Sequence, residues 1–505
     1  MSARDLILAI DLGTTACKVL LVDAGVRVLS SGSAAYPTLV PHPDWAEQDP
    51  EQVWQGMLLA VRRTLQDAAV DRTRIAAISF SAAMHGLLLL GEAGRPLTRC
   101  LTWADRRGQP QAQRLRRECD AHAVYLRTGC PLQPLYWPAR WLWFREQRPE
   151  IARTTQRLVG LKDFFLMRLV GCCVMDVSLA SGTGLLDVRS WTWDAAMLEA
   201  LGLTPQQLPQ LVLPDAVVGT LSPRWADELG LPGDVRVVAG GADGGCANLG
   251  AGAVGAGQVV TSVGTSGAVR AIVPQPLLDV DERTWCYALT QDRWLVGGAI
   301  NNAGSVYTWL RDQLGLAGEA GCSFEQLDAW ASAVPAGSEG LVFLPFLLGE
   351  RSPGWRANAR GVLLGLSAHH TREHLVRAAV EGVALRLLSV FEVLEELLGT
   401  ANQVCVTGGL ARSLLWVSVL ADVYGRPLAV ASVEETSALG AVFVALKALG
   451  HIADYAQVRA LTAVERVQQP DMARHDLYMR LYEVYKGVYR DALVHWDELE
   501  RLSGA

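Results

Sequence analysis

The stretch 7–15, ILAIDLGTT, decides how the rest of the chain is read. Four apolar residues in five run into Asp11, and Asp11 runs into a Gly-Thr-Thr turn. Asp, Gly and Thr suit turns, so a buried strand that simply ends accounts for them. A carboxylate beside a Gly-hydroxyl loop at a strand end also suits a metal and a phosphate. On these nine residues alone both readings stand.

Composition narrows the classes around that stretch. The chain has 505 residues, enough for two or more domains. Half of it is hydrophobic and 19% is charged, which favours large packed cores over disorder. A formal charge of -7 argues against nucleic acid or an anionic membrane held by bulk charge. Lysine occurs only at 18, 162, 447 and 486, so Lys18 stands out beside the opening motif. Ten cysteines are scattered without a C-x-x-C pair, as expected for thiols in a reducing compartment. Asp11 interrupts the first apolar run, which disfavours a signal peptide. LVFLPFLLG at 341–349 is far too short to span a membrane. These features lead to the expectation of a soluble, cytoplasmic protein.

The order of elements repeats. Strands are predicted over 7–11, 16–23 and 26–32, followed by a helix opened by Asp49-Pro50-Glu51 and a buried strand in IAAISFSAAMHG, 75–86. The second half restarts with GQVVTSVGTSGAVRAIV, 257–273, which is again a strand, a Gly-Thr-Ser turn and a strand. A long amphipathic helix at 371–399 precedes the buried strand and glycines of QVCVTGGLARS, 403–413. An internal duplication is the economical reading. The Gly-rich stretch 237–257 lies between the halves, and its apolar content fits a strand end at a domain junction better than a flexible linker.

The chemistry follows from the loops. GTT at 13–15 and GTS at 264–266 each offer backbone N–H groups and hydroxyls, and such nests bind phosphate oxygens. Lys18 would add a point charge. There is no G-x-x-x-x-G-K-[ST] and no protein-kinase loop set. Asp243 lies within GGADGG, 240–245, at the junction of the halves. Phosphoryl transfer to an alcohol needs a carboxylate to take the hydroxyl proton and a metal to neutralise phosphate charge. Asp243 and Asp11 would fill those roles.

With these residues in place, the chain resembles the FGGY family of carbohydrate kinases over nearly its whole length. AIDLGTT (9–15), GADGG (241–245), SVGTSG (262–267), GERSPGWRANARGVLLGL (349–366) and VTGGLARS (406–413) occur in the family's order. The resemblance implies an α/β fold of two ribonuclease-H-like (actin-like ATPase) domains with a central cleft. It implies a first domain over 1–247, a nucleotide-binding domain over 248–450 and C-terminal helices over 451–505. It places Gly13, Thr14, Thr15, Lys18, Gly264 and Thr265 at the phosphates of ATP. Gly304, Gly408, Gly409 and Ser413 border the adenosine. Mg²⁺ is expected at Asp11 and Asp243, and Asp243 is the implied catalytic base. A homodimer is left open.

Within the family, Met84-His85 resembles the kinases of xylulose and gluconate, whereas glycerol kinases have Arg-Glu there. A satisfied core histidine is the plainer reading of His85 from the residues alone. LTWADRRG (101–108), TGCPLQPLY (128–136) and Gly244 after Asp243 look more like gluconate kinases. Gln133 and Arg140 depart from that subgroup, which usually has His and Lys. Met84, His85, Asp105, Arg107, Tyr136 and Asp243 are the expected acceptor-binding residues. Arg106 or Arg107 would pair with a sugar-acid carboxylate, since a guanidinium binds it in a bidentate manner. Trp103 and Trp355 are candidates to line the cleft. The alternatives are xylulose as acceptor, and a non-catalytic ATP-binding sugar sensor on the same fold.

Overall fold

Two mixed sheets built on one plan frame the molecule, which is described from a computed structural model over residues 4–68, 70–315 and 321–502. In the first half, β1 (Leu6–Leu12), β2 (Ala16–Asp23) and β3 (Val28–Ala35) form an antiparallel meander. Helix α1 (Pro50–Asp67) starts where the Asp49 carboxylate accepts hydrogen bonds from the N–H groups of Glu51 and Gln52. Strand β4 (Ile75–Ala82) then lies parallel to β1. A long insertion follows, including α2 (Leu161–Val170) and α3 (Val177–Ser181). Strands β5 (Val217–Thr220) and β6 (Arg236–Val238) complete the order β5-β6-β4-β1-β2-β3, and β7 (Gly241–Ala242) continues alongside β4.

Helix α4 (Asp243–Gly250) links this sheet to the second. There β8 (Gln258–Val263), β9 (Gly267–Val273), β10 (Trp285–Thr290) and β11 (Arg293–Ile300) precede α5 (Gly304–Asp312) and the 27-residue α6 (Arg372–Leu398). Strand β12 (Gln403–Thr407), α7 (Leu414–Tyr424), β13 (Leu428–Ala431) and α8 (Thr436–Ala448) follow. From β3, the first sheet pairs antiparallel twice, parallel twice and antiparallel once. From β11, the second sheet pairs in that same sequence through β9, β8, β12, β13 and an edge strand β14 (Val464–Gln468), with β10 added outside β11. The two Gly-hydroxyl turns thus occupy equivalent β-turn-β corners, as the expected duplication requires.

The tail differs from the expectation of helices alone. Val464–Gln468 adds β14 to the second sheet, antiparallel to β13, because its alternating residues need only one neighbour and keep the other side in solvent. After it, α9 (Met472–Leu502) buries Tyr478, Tyr482, Tyr485 and Trp496 against the second core. Residues 503–505 lie outside the described residues. Helix α4 spans residue 247, and the sheets divide between β7 and β8. All ten cysteines are free thiols. Among the described residues no helix is long and apolar enough to cross a membrane.

One crossing ties the halves together. Helix α8, from the end of the second half, buries Ala438–Leu446 in the core of the first sheet. Helix α4 lies against it, backbone to backbone. A Cβ on Gly440 would sit 1.9 Å from the carbonyl oxygen of Cys246, and one on Gly250 would sit 1.9 Å from that of Thr436. No side-chain rearrangement relieves a clash with a carbonyl, so glycine is required at both positions. Gly440→Ala should therefore destabilise the protein by about 1–3 kcal/mol, the range for overpacking. Thermal unfolding measures this, and an unchanged midpoint would show that the two helices separate freely.

Candidate active site

Asp243 stands at the junction just described, as the first residue of α4 directly after β7. Its Oδ1 accepts a hydrogen bond from the Gly244 N–H at 2.7 Å, and among the described residues no hydrogen bond is made to Oδ2. The side chain is partly accessible from the cleft but enclosed by protein. Burial raises its carboxyl above the ordinary range, against the pull of the Arg270 guanidinium. Asp11, near the end of β1, accepts from Ser81 Oγ at 2.7 Å. Burial, together with the Asp243 charge, pushes the Asp11 carboxyl up to about 7 despite the Ser81 bond. Two enclosed carboxylates that repel each other form a hard-oxygen donor pair. Among the described residues no larger cluster of His, Cys, Asp or Glu is poised for a metal. Mg²⁺ commonly takes one or two carboxylates and completes its shell with phosphate oxygens and water, so this pair fits it.

A buried relay holds the strand that presents Asp243. Lys162 Nζ, on α2, donates to Asp176 Oδ2 and to the Ala239 carbonyl, each at 2.6 Å, and neither charged side chain is exposed. Asp176 caps α3 by accepting from the N–H groups of Ser178 and Leu179, and it also takes the Ser178 hydroxyl hydrogen. Ser178 Oγ in turn accepts from the Ala242 N–H at 2.8 Å. The backbone one residue before Asp243 is thus pinned to an ion pair.

The nucleotide-sized cleft has a volume of about 920 Å³ and lies between the two turns. Asp11, Thr14, Thr15 and Lys18 form one wall, and Gly264, Thr265 and Gly304 face them from the second half. Gly408, Gly409, Ser413 and Asp243 also line the cleft. Gly13 shapes its turn from behind, donating its N–H to Ala16 O and accepting from Tyr36 Oη at 2.7 Å. Trp103 Nε1 donates to Thr14 Oγ1 at 3.0 Å. Gly304 braces the second loop, since its N–H donates to Gly264 O at 2.8 Å and a Cβ would sit 2.7 Å from that oxygen. Ser413 caps α7 through the Trp416 N–H. Lys18 is held by Glu435 at 2.8 Å, so its ammonium has a partner to leave before it meets a phosphate.

A smaller cavity of about 110 Å³ opens beside Asp243, lined by Met84, His85, Trp103, Arg270, Tyr287 and Arg351 among others. His85 donates from Nδ1 to the Gly182 carbonyl at 2.6 Å, which leaves Nε2 as an acceptor. Burial and the positive charge of Arg351 hold the ring well below the usual histidine range, hence neutral. The residue is therefore satisfied on one side and available on the other.

Three expected acceptor residues sit differently. Tyr136 is buried behind the cavity, its hydroxyl bonded to that of Tyr287 at 2.8 Å, and Tyr287 forms the wall in its place. Both Asp105 oxygens are engaged, by the Ala46 N–H and by Arg107. Arg107 is closed by Asp105 and by Glu47 at 2.6 Å, and it stacks 4.1 Å over Trp45, so it offers no free guanidinium. Arg106 pairs with Asp44 and donates to Ala357 O. Arg270, Tyr287 and Arg351 escaped the sequence reading. A charged residue inside the buried strand β9 was the available signal for Arg270, and Arg351 stands within the motif 349–366.

The model for the N-terminal domain of the FGGY family of carbohydrate kinases matches residues 6–250, and that for its C-terminal domain matches 259–449. The chain belongs to this family. It is a carbohydrate kinase of two-domain α/β fold. The gluconokinase of Bacillus subtilis (strain 168) is 37% identical over 452 residues, 88% of each chain. The gluconate kinase structure from Lactobacillus acidophilus superposes with a TM-score of 0.90 at 30% identity, covering 98% of this chain and 99% of that one. A ligand-bound xylulose kinase from the same organism gives 0.91 at 30% identity, with the same coverage.

The relay to Ala242 should show itself in turnover. Ser178→Ala leaves a buried N–H without its partner next to the carboxylate, and a small misplacement at a reacting centre costs about 10²-fold in rate. Steady-state kinetics should give a kcat lowered by about ten- to a hundredfold with KM little changed. A parental kcat would remove the relay from the site.

Proposed function

We propose that this kinase transfers the γ-phosphoryl group of ATP to the terminal hydroxyl of D-gluconate, giving 6-phosphogluconate. The observation that carries the reading is the place of Asp243, which belongs to the wall of both the nucleotide cleft and the acceptor cavity. A group shared by two cavities can touch an acceptor hydroxyl and the phosphoryl group it attacks. Similarity to gluconokinases, together with LTWADRRG and TGCPLQPLY, selects gluconate among acceptors. A specific observation also favours xylulose as the second reading, namely the match to a xylulose kinase structure at a TM-score of 0.91.

Kinases of this family use ATP as donor, generally with Mg²⁺. Thr14, Thr15, Gly264 and Thr265 would hold the phosphates through hydroxyls and backbone N–H groups, and Gly408, Gly409 and Ser413 would flank the nucleoside. Asp11 and Asp243 would hold Mg²⁺, whose contribution when bound is to neutralise phosphate charge. Met84 and His85 form the apolar and accepting sides of the acceptor cavity. Asp243 takes the proton from the sugar hydroxyl as its oxygen bonds to the γ-phosphorus and the bond to the bridging oxygen of ADP breaks. Its Oδ2 makes no hydrogen bond among the described residues, which leaves an oxygen to take that proton. Arg270 lines both spaces and would face the negative charge of the transferring group.

Asp243→Asn preserves shape but cannot accept the proton. It should keep ligand binding and lose about 10²–10⁴ in kcat, the usual worth of a general base. Near-parental turnover would assign the base elsewhere. For the unaltered enzyme, a kinetic panel of sugars and sugar acids with ATP and Mg²⁺ should rank gluconate first, and NMR of the product should place the phosphate on C6. Preference for xylulose would promote the second reading and leave the kinase itself intact.

A further inference from the structure

Of the arginines expected to meet a substrate carboxylate, Arg107 is buried and closed by Glu47 and Asp105, and Arg106 is paired with Asp44. A second cavity, of about 370 Å³, adjoins the acceptor cavity, and the two share Trp103 and Arg351 as a common wall. Arg351 makes no ion pair and donates no hydrogen bond among the described residues, and its Nε is buried without a partner. Its guanidinium lies 5.9 Å from the centre of the Trp103 ring.

The neighbouring Glu350 does not serve as its counter-ion. Glu350 is taken by Arg386, by Tyr489 Oη at 2.7 Å and by the Gly354 N–H at 3.0 Å. The loop is further fixed by the Trp355 indole, which donates to Glu282 O at 2.8 Å. The carboxylate of Asp105, on the same cavity wall, is closed by Arg107. Arg351 is therefore a cation facing both cavities with no ion pair among the described residues, the Asp243 carboxylate on the wall of the acceptor cavity being the open charge that acts on it.

Two residues lining that cavity each keep one buried polar atom without a partner. Gln133 is 5% exposed and its Nε2 has no acceptor. Asn301 donates from Nδ2 to Leu348 O at 2.9 Å, while its buried Oδ1 accepts nothing. A cation, an N–H donor and an oxygen acceptor together suit a hydroxylated carboxylic acid. Arg270 is distinguished from Arg351 by position, because it lines the nucleotide cleft and Arg351 does not.

We propose that Arg351, assisted by the Gln133 amide, binds the carboxylate of the acceptor and so sets the preference for a sugar acid over a neutral sugar. This rests on the gluconate reading above. The acceptor then lies between the halves, with its reacting hydroxyl at Asp243 and its acid end on a loop of the second half.

The test is the ratio of kcat/KM for D-gluconate to that for D-xylulose in the parent, Arg351→Gln, Arg351→Lys and Gln133→Leu. Arg351→Gln should lower the ratio by about ten- to over a hundredfold, the worth of a charged hydrogen-bonded partner. Arg351→Lys should recover part of it, since charge persists without the planar fork. Gln133→Leu should lower it in the same direction and stands in for Arg351→Gln should that variant fail to fold. If the parent phosphorylates gluconate and the ratio is unchanged in the variants, the Arg351 assignment falls alone. A parent that rejects gluconate overturns the assignment together with the reading it rests on.

Discussion

Two helices crossing on glycine fix where the proposed base stands. Because α4 touches α8 at the carbonyls of Cys246 and Thr436, the first residue of α4 is fixed relative to both sheets at once. That residue is Asp243. It emerges from β7, which belongs to the first sheet, and its helix rests on α8, which comes from the second half yet is buried in the first core. A carboxylate carried by a flexible linker between the sheets would have no defined distance to either loop.

The electrostatics follow from that placement. A buried carboxylate at a helix N-terminus feels two opposed influences, the favourable dipole and the unfavourable loss of water. Burial wins at Asp243, and at Asp11 it is reinforced by the Asp243 charge. The pair is therefore costly until a cation or a substrate proton compensates it. Several other buried charges are closed internally, as at Lys162 with Asp176, Arg377 with Glu381 and Arg386 with Glu350. Asp11, Asp243 and Arg351, none of them in an ion pair among the described residues, line the cleft and the cavities beside it, where a ligand can complete them.

Much of this was legible from residue order. The opening strand, its Gly-Thr-Thr turn and its repetition at 257–273 carry a local signal, period and turn chemistry, that tertiary packing does not alter. The cleft residues followed because they sit on those turns. What the sequence hid was pairing at a distance. Nothing near Arg107 announces Glu47, nothing near Lys18 announces Glu435, and Tyr287 displaces Tyr136 from the cavity wall although 151 positions separate them. Conversely, Arg351 reads as one more arginine in a dense motif until the structure shows Glu350 already occupied. The edge strand β14 was too short, and too half-exposed, to separate from the helices around it.

One carboxylate, Asp243, is proposed to serve a sugar acid on one side and a nucleotide on the other. A crystal structure with D-gluconate and a non-hydrolysable ATP analogue addresses it directly. The terminal hydroxyl oxygen should lie within about 3 Å of an Asp243 carboxylate oxygen and face the γ-phosphorus, the reach of a working general base. A gluconate bound with its terminal hydroxyl away from Asp243, or a γ-phosphate outside the space between the two Gly-hydroxyl turns, would contradict the account.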